Sequence, residues 1–158
     1  MVDRILITGA TGFAGHFLVD HLLSQGKNVI GTTHGEIPPH FPNGLIPLIP
    51  CDIRNPLEAQ KVLSEIKPTQ IFHLAAQAAV ASSWEEPGET FRINTLGTIN
   101  ILDSCRTLRL NPKILLISSA TVYGLPSNGE KFVEDIFLDP VDPYGISKAM
   151  ADRIAILY

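Results

Sequence analysis

"ITGATGFAG", residues 7–15, overlaps the end of an apolar run, RILIT (4–8), and the start of a helix-periodic stretch, FAGHFLVDHLLSQG (13–26). Its three glycines, Gly9, Gly12 and Gly15, recur at every third residue. A flexible turn needs one or two glycines and no fixed spacing. Three at this spacing suit a backbone that turns tightly, lets a bulky anion approach, and then packs a helix close against a strand. In that reading a Cβ at Gly9 obstructs the turn, one at Gly12 holds off the anion, and one at Gly15 pushes the helix from the sheet. Free N–H groups at the helix start, around Thr11, Phe13 and Ala14, and the helix dipole then receive negative charge.

Outward from this stretch, strands and helices alternate. RILIT (4–8) reads as a buried parallel strand. The helix after it places Phe13, Phe17, Leu18 and Leu22 on one stripe and stops at Gly26. NVIGTT (28–33) is a second strand, and HGEIPPHFPNG (34–44) is a loop. LIPLIPCD (45–52) is apolar, but Pro47 and Pro50 demote it to a short or edge strand. NPLEAQKVLSEIKP (55–68) has Asn as N-cap, Pro at the first helical position and Pro as its stop. QIFHLAA (70–76) is a strand, and 87–110 reads as one long helix with Phe91, Leu96, Ile99, Leu102 and Leu108 as its apolar positions. KILLISS (113–119) is a fifth strand, a loop follows, and PYGISKAMADRIAILY (143–158) restarts a helix. The order predicts an α/β fold: a parallel sheet covered on both faces, with ligands at the carboxyl ends of the strands.

Composition narrows the function classes. The chain has 158 residues, 45% apolar and 18% charged, enough to fill the core of one domain. Net charge is −4 and the basic residues are scattered, so no nucleic-acid footprint is visible. No apolar run reaches about 18 residues, which argues against a membrane partner. MVDRILITGA enters a strand at once and leaves no room for a signal peptide. Cys51 and Cys105 lack metal-type spacing and read as buried free thiols of a reducing compartment. The expectation is a soluble, cytoplasmic protein without a metal site.

The spacing TGxxGxxG, in place of GxGxxG, resembles the short-chain dehydrogenase/reductase superfamily in its extended branch. CDIRN (51–55) resembles the Asp-plus-aliphatic pair, here Asp52 and Ile53, that this family places at the adenine ring of its dinucleotide. HLAAQAAV (73–80) resembles its fourth-strand segment, which assigns Leu74, Ala75, Ala76 and Gln77 to the cofactor and Val80 to the substrate. INTLGTINIL (93–102) resembles its helix with a buried structural Asn, here Asn94, and SSATVYG (118–124) and YGISK (144–148) complete the pattern. The resemblance implies a Rossmann-type doubly wound sheet, with residues 1–158 as an NAD(P)-binding domain. It also implies truncation after the fifth strand and following helix: the last helix meets no stop signal, and the substrate domain is absent. The complete enzyme would be a homodimer.

Tyr144 and Lys148, four residues apart on a predicted helix, share one face. A free phenol titrates near 10 and is a poor base at neutral pH. A cation at about 4 Å, in an effective dielectric of about 20, supplies about 4 kcal/mol toward the phenolate. Lys148 is the natural cation, and by resemblance it also holds the nicotinamide ribose. Ser119 ends the fifth strand, where a hydroxyl could hold a substrate oxygen against Tyr144, with Ala120 and Thr121 beside it. Ser118 points to the opposite face by strand alternation, and a hydroxyl bonded to backbone suffices for it. The family's catalytic Ser/Thr directly precedes the two residues before V-Y-G, which selects Ser119. His73 reads as a packed strand residue, and Asn94, disfavoured inside a helix, reads as a buried hydrogen-bonding group.

NAD-preferring folds carry an acid about 20 residues on, at the end of the second strand. Thr33 and His34 stand there instead, and no carboxylate comes before Glu36. Nothing repels a 2′-phosphate and no arginine clamp is visible, so the cofactor is NAD(P) with the balance leaning to NADP. Within the branch, HLAAQAAVASSWEEPGETFRINTLGTINIL (73–102) looks most like the GDP-mannose 4,6-dehydratase and GDP-4-keto-6-deoxymannose reductase group, then the UDP-glucose 4-epimerases. The dehydratases carry an acid after the catalytic Ser/Thr, where this chain has Ala120 and Thr121. That departure favours hydride transfer at sugar C4 of a GDP- or UDP-linked hexose over 4,6-dehydration. A non-catalytic dinucleotide-binding module would need the glycines but not Ser119, Tyr144 and Lys148.

Overall fold

Ile5–Thr8 forms β1, with all four residues buried at the centre of a five-stranded parallel sheet of order β3-β2-β1-β4-β5. Its neighbours are β2 (Val29–Thr33) and β4 (Gln70–His73), and β3 (Leu48–Pro50) and β5 (Lys113–Leu116) are the edges. This is the order of a doubly wound dinucleotide-binding sheet through its fifth strand. The computed structural model describes residues 3–39, 41–42, 44–125 and 131–158. His40 and Asn43 of the expected 34–44 loop, residues 126–130 of the loop after β5, and the first two residues lie outside the described residues.

Alternation along β1 splits the core. Leu6, with Ile71 of β4, faces α2 (Pro56–Ile66) and α5 (Gly97–Thr107) through Val62, Leu63, Ile101 and Cys105. Ile5 and Ile7 face α1 (Phe13–Ser24) through Val19 and Leu22, together with Phe41 and Ile46. Each such side chain, fully buried, contributes about 1.5–3 kcal/mol against its exposed state. α2 begins as its sequence dictates: Asn55 Oδ1 accepts from the Leu57 N–H at 3.0 Å, and Pro56 needs no donor of its own. Cys51 and Cys105 are buried and free.

Two helices differ from the sequence expectation. On α1 the buried positions are Gly15, Val19 and Leu22, while Phe13 and Phe17 are 82% and 60% exposed. The helix turns the face of Gly15 to the sheet because only that face lacks a Cβ where the backbones meet. The single helix expected over 87–110 is instead α4 (Pro87–Phe91), a π-helical turn (Arg92–Leu96) and α5, preceded by an unforeseen α3 (Val80–Glu85). The π turn shifts the helical register, so Leu96 is exposed and Ile101, Leu102 and Cys105 pack inward. The fourth and fifth strands also end three residues early, leaving Leu74–Ala76 and Ile117–Ser119 outside the sheet.

After a 3-10 turn (Ala120–Tyr123), α6 (Pro143–Leu157) starts at Asp142, whose Oδ1 accepts from the Gly145 N–H at 2.7 Å. Among the described residues no helix is long and apolar enough to cross a membrane. β5 is an edge with Leu115 and Ile117 exposed beside it, and Ile156 and Leu157 of α6 are exposed too, whereas Ile154 is half-buried. An exposed apolar edge promotes association. The 158-residue chain is therefore expected to self-associate, and Ile117→Lys to return it toward monomer, in sedimentation velocity. A strictly monomeric parent would contradict this.

Candidate functional site

At the carboxyl ends of β1, β2 and β4 lies a cavity of about 350 Å³, within the range of ligand pockets. Gly9, at φ +69°, turns the chain out of β1, and a Cβ there would sit 2.9 Å from the Ala75 backbone. A Cβ on Gly15 would lie 2.4 Å from the Gly9 carbonyl oxygen. At Gly12 the added atom would meet only that same oxygen, at 3.3 Å, and otherwise open space. Gly12 is also the N-cap of α1 and supplies no side chain to the helix's first N–H groups. The three glycines thus have three different jobs, and the middle one leaves a cradle beside a helix start.

The structure brings most of the sequence-predicted cofactor residues around this one cavity. Gly9, Thr11 and Gly12 line it from the first turn, Thr33 and His34 from the end of β2, Asp52 and Ile53 after β3, and Leu74, Ala75, Ala76 and Gln77 after β4. Phe13, Ala14 and Gly15 do not line it: Gly15 is buried beneath the turn and Phe13 points to solvent. Thr33 is buried, with its hydroxyl 3.0 Å from that of Thr11, so its side chain is already engaged. Gln77 is clamped at the rim. Its N–H donates to Asn94 Oδ1 at 2.8 Å, its carbonyl accepts from Asn94 Nδ2 at 3.1 Å, and its side-chain Nε2 donates to Ala79 O at 2.8 Å. Gln77 Oε1 is buried without a hydrogen-bond partner among the described residues. The open cradle at Gly12, beside the start of α1, fits a phosphate-bearing ligand, and the unfilled Gln77 acceptor calls for a donor.

Sequence reasoning missed Arg54, which also lines the cavity. Its Nε donates to Asp52 Oδ1 at 2.8 Å and its Nη2 to Asp52 Oδ2 at 2.7 Å, while Nη1 donates to Glu89 of α4. Nη2 also lies 3.3 Å from His34 Nε2. The hydrogen bonds from Arg54 hold the Asp52 carboxyl below the usual carboxylate range, and both carboxylates raise Arg54. The arginine absent from the end of β2 in sequence is therefore supplied there from the loop after β3. The motif CDIRN carried the signal, since Arg54 follows the Asp52–Ile53 pair directly.

Ser119, Ala120, Thr121, Val80, Tyr144 and Lys148 form the second group, away from the lining of that cavity. Ser119 Oγ caps the 3-10 turn, accepting from the Thr121 N–H at 3.2 Å and lying 2.9 Å from its hydroxyl. That turn packs on the start of α6, where a Cβ on Gly145 would come 2.9 Å from Thr121 O. Val80 opens α3, whose Ser83 Oγ accepts from the Tyr144 N–H at 3.2 Å. Lys148 is buried, and desolvation lowers its pKa against an opposing pull from Asp152. Ser118 donates to the Asp152 carboxylate, a side-chain partner rather than the backbone one expected. Asp152 was legible four residues beyond Lys148 on the same helical face.

Asn94 joins the two groups. Besides holding Gln77, its Nδ2 donates to Ser147 Oγ at 3.0 Å, next to Lys148 on α6. His73, below it, is buried with Nδ1 2.7 Å from Thr8 Oγ1 and Nε2 3.2 Å from Thr98 Oγ1. Thr98 spends its own proton on Asn94 O at 2.7 Å, so Nε2–H donates to Thr98 and Nδ1 accepts from Thr8. That is a satisfied neutral imidazole. Burial, with the Lys148 charge, pushes His73 down to about 4.

A family model described as GDP-mannose 4,6 dehydratase matches residues 6–158. GDP-mannose 4,6-dehydratase of Vibrio cholerae is 30% identical over 100% of this chain and 46% of its own length. GDP-6-deoxy-D-mannose reductase of Pseudomonas aeruginosa is 29% identical over 99% of this chain and 47% of its own. The structure of UDP-glucose 4-epimerase from Thermus thermophilus, in complex with NAD, superposes with a TM-score of 0.89 at 31% identity, over 98% of this chain and 50% of that one. The chain spans about half the length of the curated relatives it matches.

His73 generates a pH prediction. Its folded pKa lies below the unfolded value of about 6.5, so its contribution is complete above pH 6.5 and is lost as pH falls toward 4. Urea unfolding across that window should show stability rising with pH, and His73→Gln should flatten this component. An unchanged slope in the variant would assign the effect elsewhere.

Proposed function

The chain belongs to the GDP-mannose 4,6-dehydratase family, and from that premise we propose that residues 1–158 are the dinucleotide-binding domain of an enzyme modifying a nucleotide-linked hexose at C4. The observation that carries this reading is the bridge made by Asn94. One buried side chain ties Gln77, on the wall of the glycine-turn cavity, to Ser147, beside Lys148 and one helical turn from Tyr144. A dinucleotide cradle and a Tyr/Lys helix are thus held in one rigid relation.

In this reading Gly9, Gly12 and Gly15 shape the pyrophosphate turn, Asp52 and Ile53 meet adenine, and Thr33 and His34 lie toward its ribose. Leu74–Gln77 run along the dinucleotide, with Gln77 Oε1 as an acceptor for one of its hydroxyl or amide donors. A bound nicotinamide supplies the hydride donor and acceptor. Tyr144 moves the proton at the C4 oxygen, Ser119 holds that oxygen by its hydroxyl, and the Lys148 ammonium favours the phenolate. Val80, Ala120 and Thr121 border the sugar. The chemistry is 4-keto reduction or 4-epimerisation, on a GDP- or UDP-linked hexose, in a cytoplasmic homodimer. A 4,6-dehydration is the second reading, favoured by the matching family model. It needs an acid beside Ser119, and Ala120 and Thr121 provide none.

Two measurements test the reading. In the complete enzyme, Tyr144→Phe should keep dinucleotide binding and lose about a hundredfold or more in turnover, the scale of a lost general acid–base. Near-normal turnover would remove Tyr144 from that role. The cofactor is read as NAD(P), leaning to NADP, because Thr33 stands where an acid would repel a 2′-phosphate. Titration should show NADP binding at least as tightly as NAD, and Thr33→Asp should reverse the order; a parent that strongly prefers NAD would refute the preference.

A further inference from the structure

We propose that Arg54, reaching over from the loop after β3, is the residue that reads the 2′ position of the adenosine ribose and selects for a 2′-phosphate. The proposal rests on the dinucleotide reading above. Arg54 lines the cavity beside Asp52 and Ile53, and its Nη2 lies 3.3 Å from His34 Nε2, immediately after the end of β2. It therefore puts a guanidinium at the corner where folds of this kind read the 2′ substituent.

The hydrogen bonds decide what that guanidinium can take. Nε and one edge of Nη2 are held by Asp52, which fixes the side chain's direction rather than leaving it to wander in solvent. Nη1 donates to Glu89, whose other oxygen accepts from Arg92 at 3.3 Å. The remaining contact, from Nη2 to Nε2 of exposed His34, is long at 3.3 Å. A phosphate oxygen would displace it readily, because an arginine–phosphate hydrogen bond is charged at both ends and closes to about 2.7–2.9 Å. His34 would then turn its ring toward the same phosphate. A 2′-hydroxyl offers no such exchange and leaves the Asp52–Arg54–Glu89 clasp as it stands. The arginine is thus held ready by two carboxylates, and Glu89 competes with the ligand for it.

The test is calorimetric titration of the 158-residue chain with NADPH and NADH, and with 2′,5′-ADP and 5′-AMP to isolate the adenosine end. Arg54→Gln should weaken NADPH and 2′,5′-ADP by about tenfold, the loss of one charge-assisted hydrogen bond, and NADH and 5′-AMP by less than about threefold. Glu89→Gln, which removes the carboxylate charge competing for Nη1, should tighten the 2′-phosphorylated ligands severalfold and leave the others unmoved, a gain that misfolding cannot produce. Equal weakening of both classes by Arg54→Gln would make Arg54 only a brace for Asp52 and overturn the proposal. So would tighter binding of both classes, or of neither, in Glu89→Gln. A parent chain that binds none of the four ligands would overturn the dinucleotide reading itself, a result distinct from either.

Discussion

The approach of α1 to the first turn sets the geometry of everything above it. The Gly9 carbonyl oxygen lies where a Cβ on Gly15 would stand, 2.4 Å away, and the Ala10 oxygen lies within 2.6 Å of the same point. No side chain fits there, so the helix rests with its backbone on the turn. That contact orients Val19 and Leu22 into the core against Ile5 and Ile7, and it forces Phe13 and Phe17 outward. It also brings the start of α1 to the floor of the cavity, with Gly12 open above it.

A second constraint lies across the sheet. A buried asparagine must satisfy its amide, and Asn94 does so on Gln77 and Ser147. The π turn that contains Asn94 is the local distortion that aims it, as such turns often are at working sites. Thr95 adds a bond to the Ser147 carbonyl at 3.1 Å, so α6 is tied to the π turn by backbone and side chain together. Lys148, the next residue on α6, is buried, and burial first, with the Lys148 charge second, keeps His73 neutral. The polar groups beneath the site form one connected set, in which each unpaired member would carry a desolvation cost of about 1–3 kcal/mol.

The alternation of strands and helices, the parallel sheet it implies and the glycine turn were legible because each rests on local spacing. Apolar runs of four or five residues bounded by turns read as buried strands, and Asn55–Pro56 marks a helix start by chemistry confined to three or four residues. The spacing of Tyr144 and Lys148 on one helical face was readable for the same reason. Asn94 was legible as a misfit, a short amide in a helix interior.

What the tertiary structure alone decided concerns groups distant in sequence. Which face of α1 is buried depends on where the Gly9 carbonyl sits, not on the helix's own apolar stripe. The π turn answers to partners 17 and 53 residues away. Ser118 meets Asp152, 34 residues on, and Arg54 meets His34 and Glu89, 20 and 35 residues away. By itself the sequence determined that a dinucleotide-type turn opens a parallel sheet and that a Tyr/Lys helix follows it, since those are properties of spacing. Where each charge comes to rest was decided only on folding, because a side chain's partner is set by the approach of separate strands and no local periodicity encodes that distance.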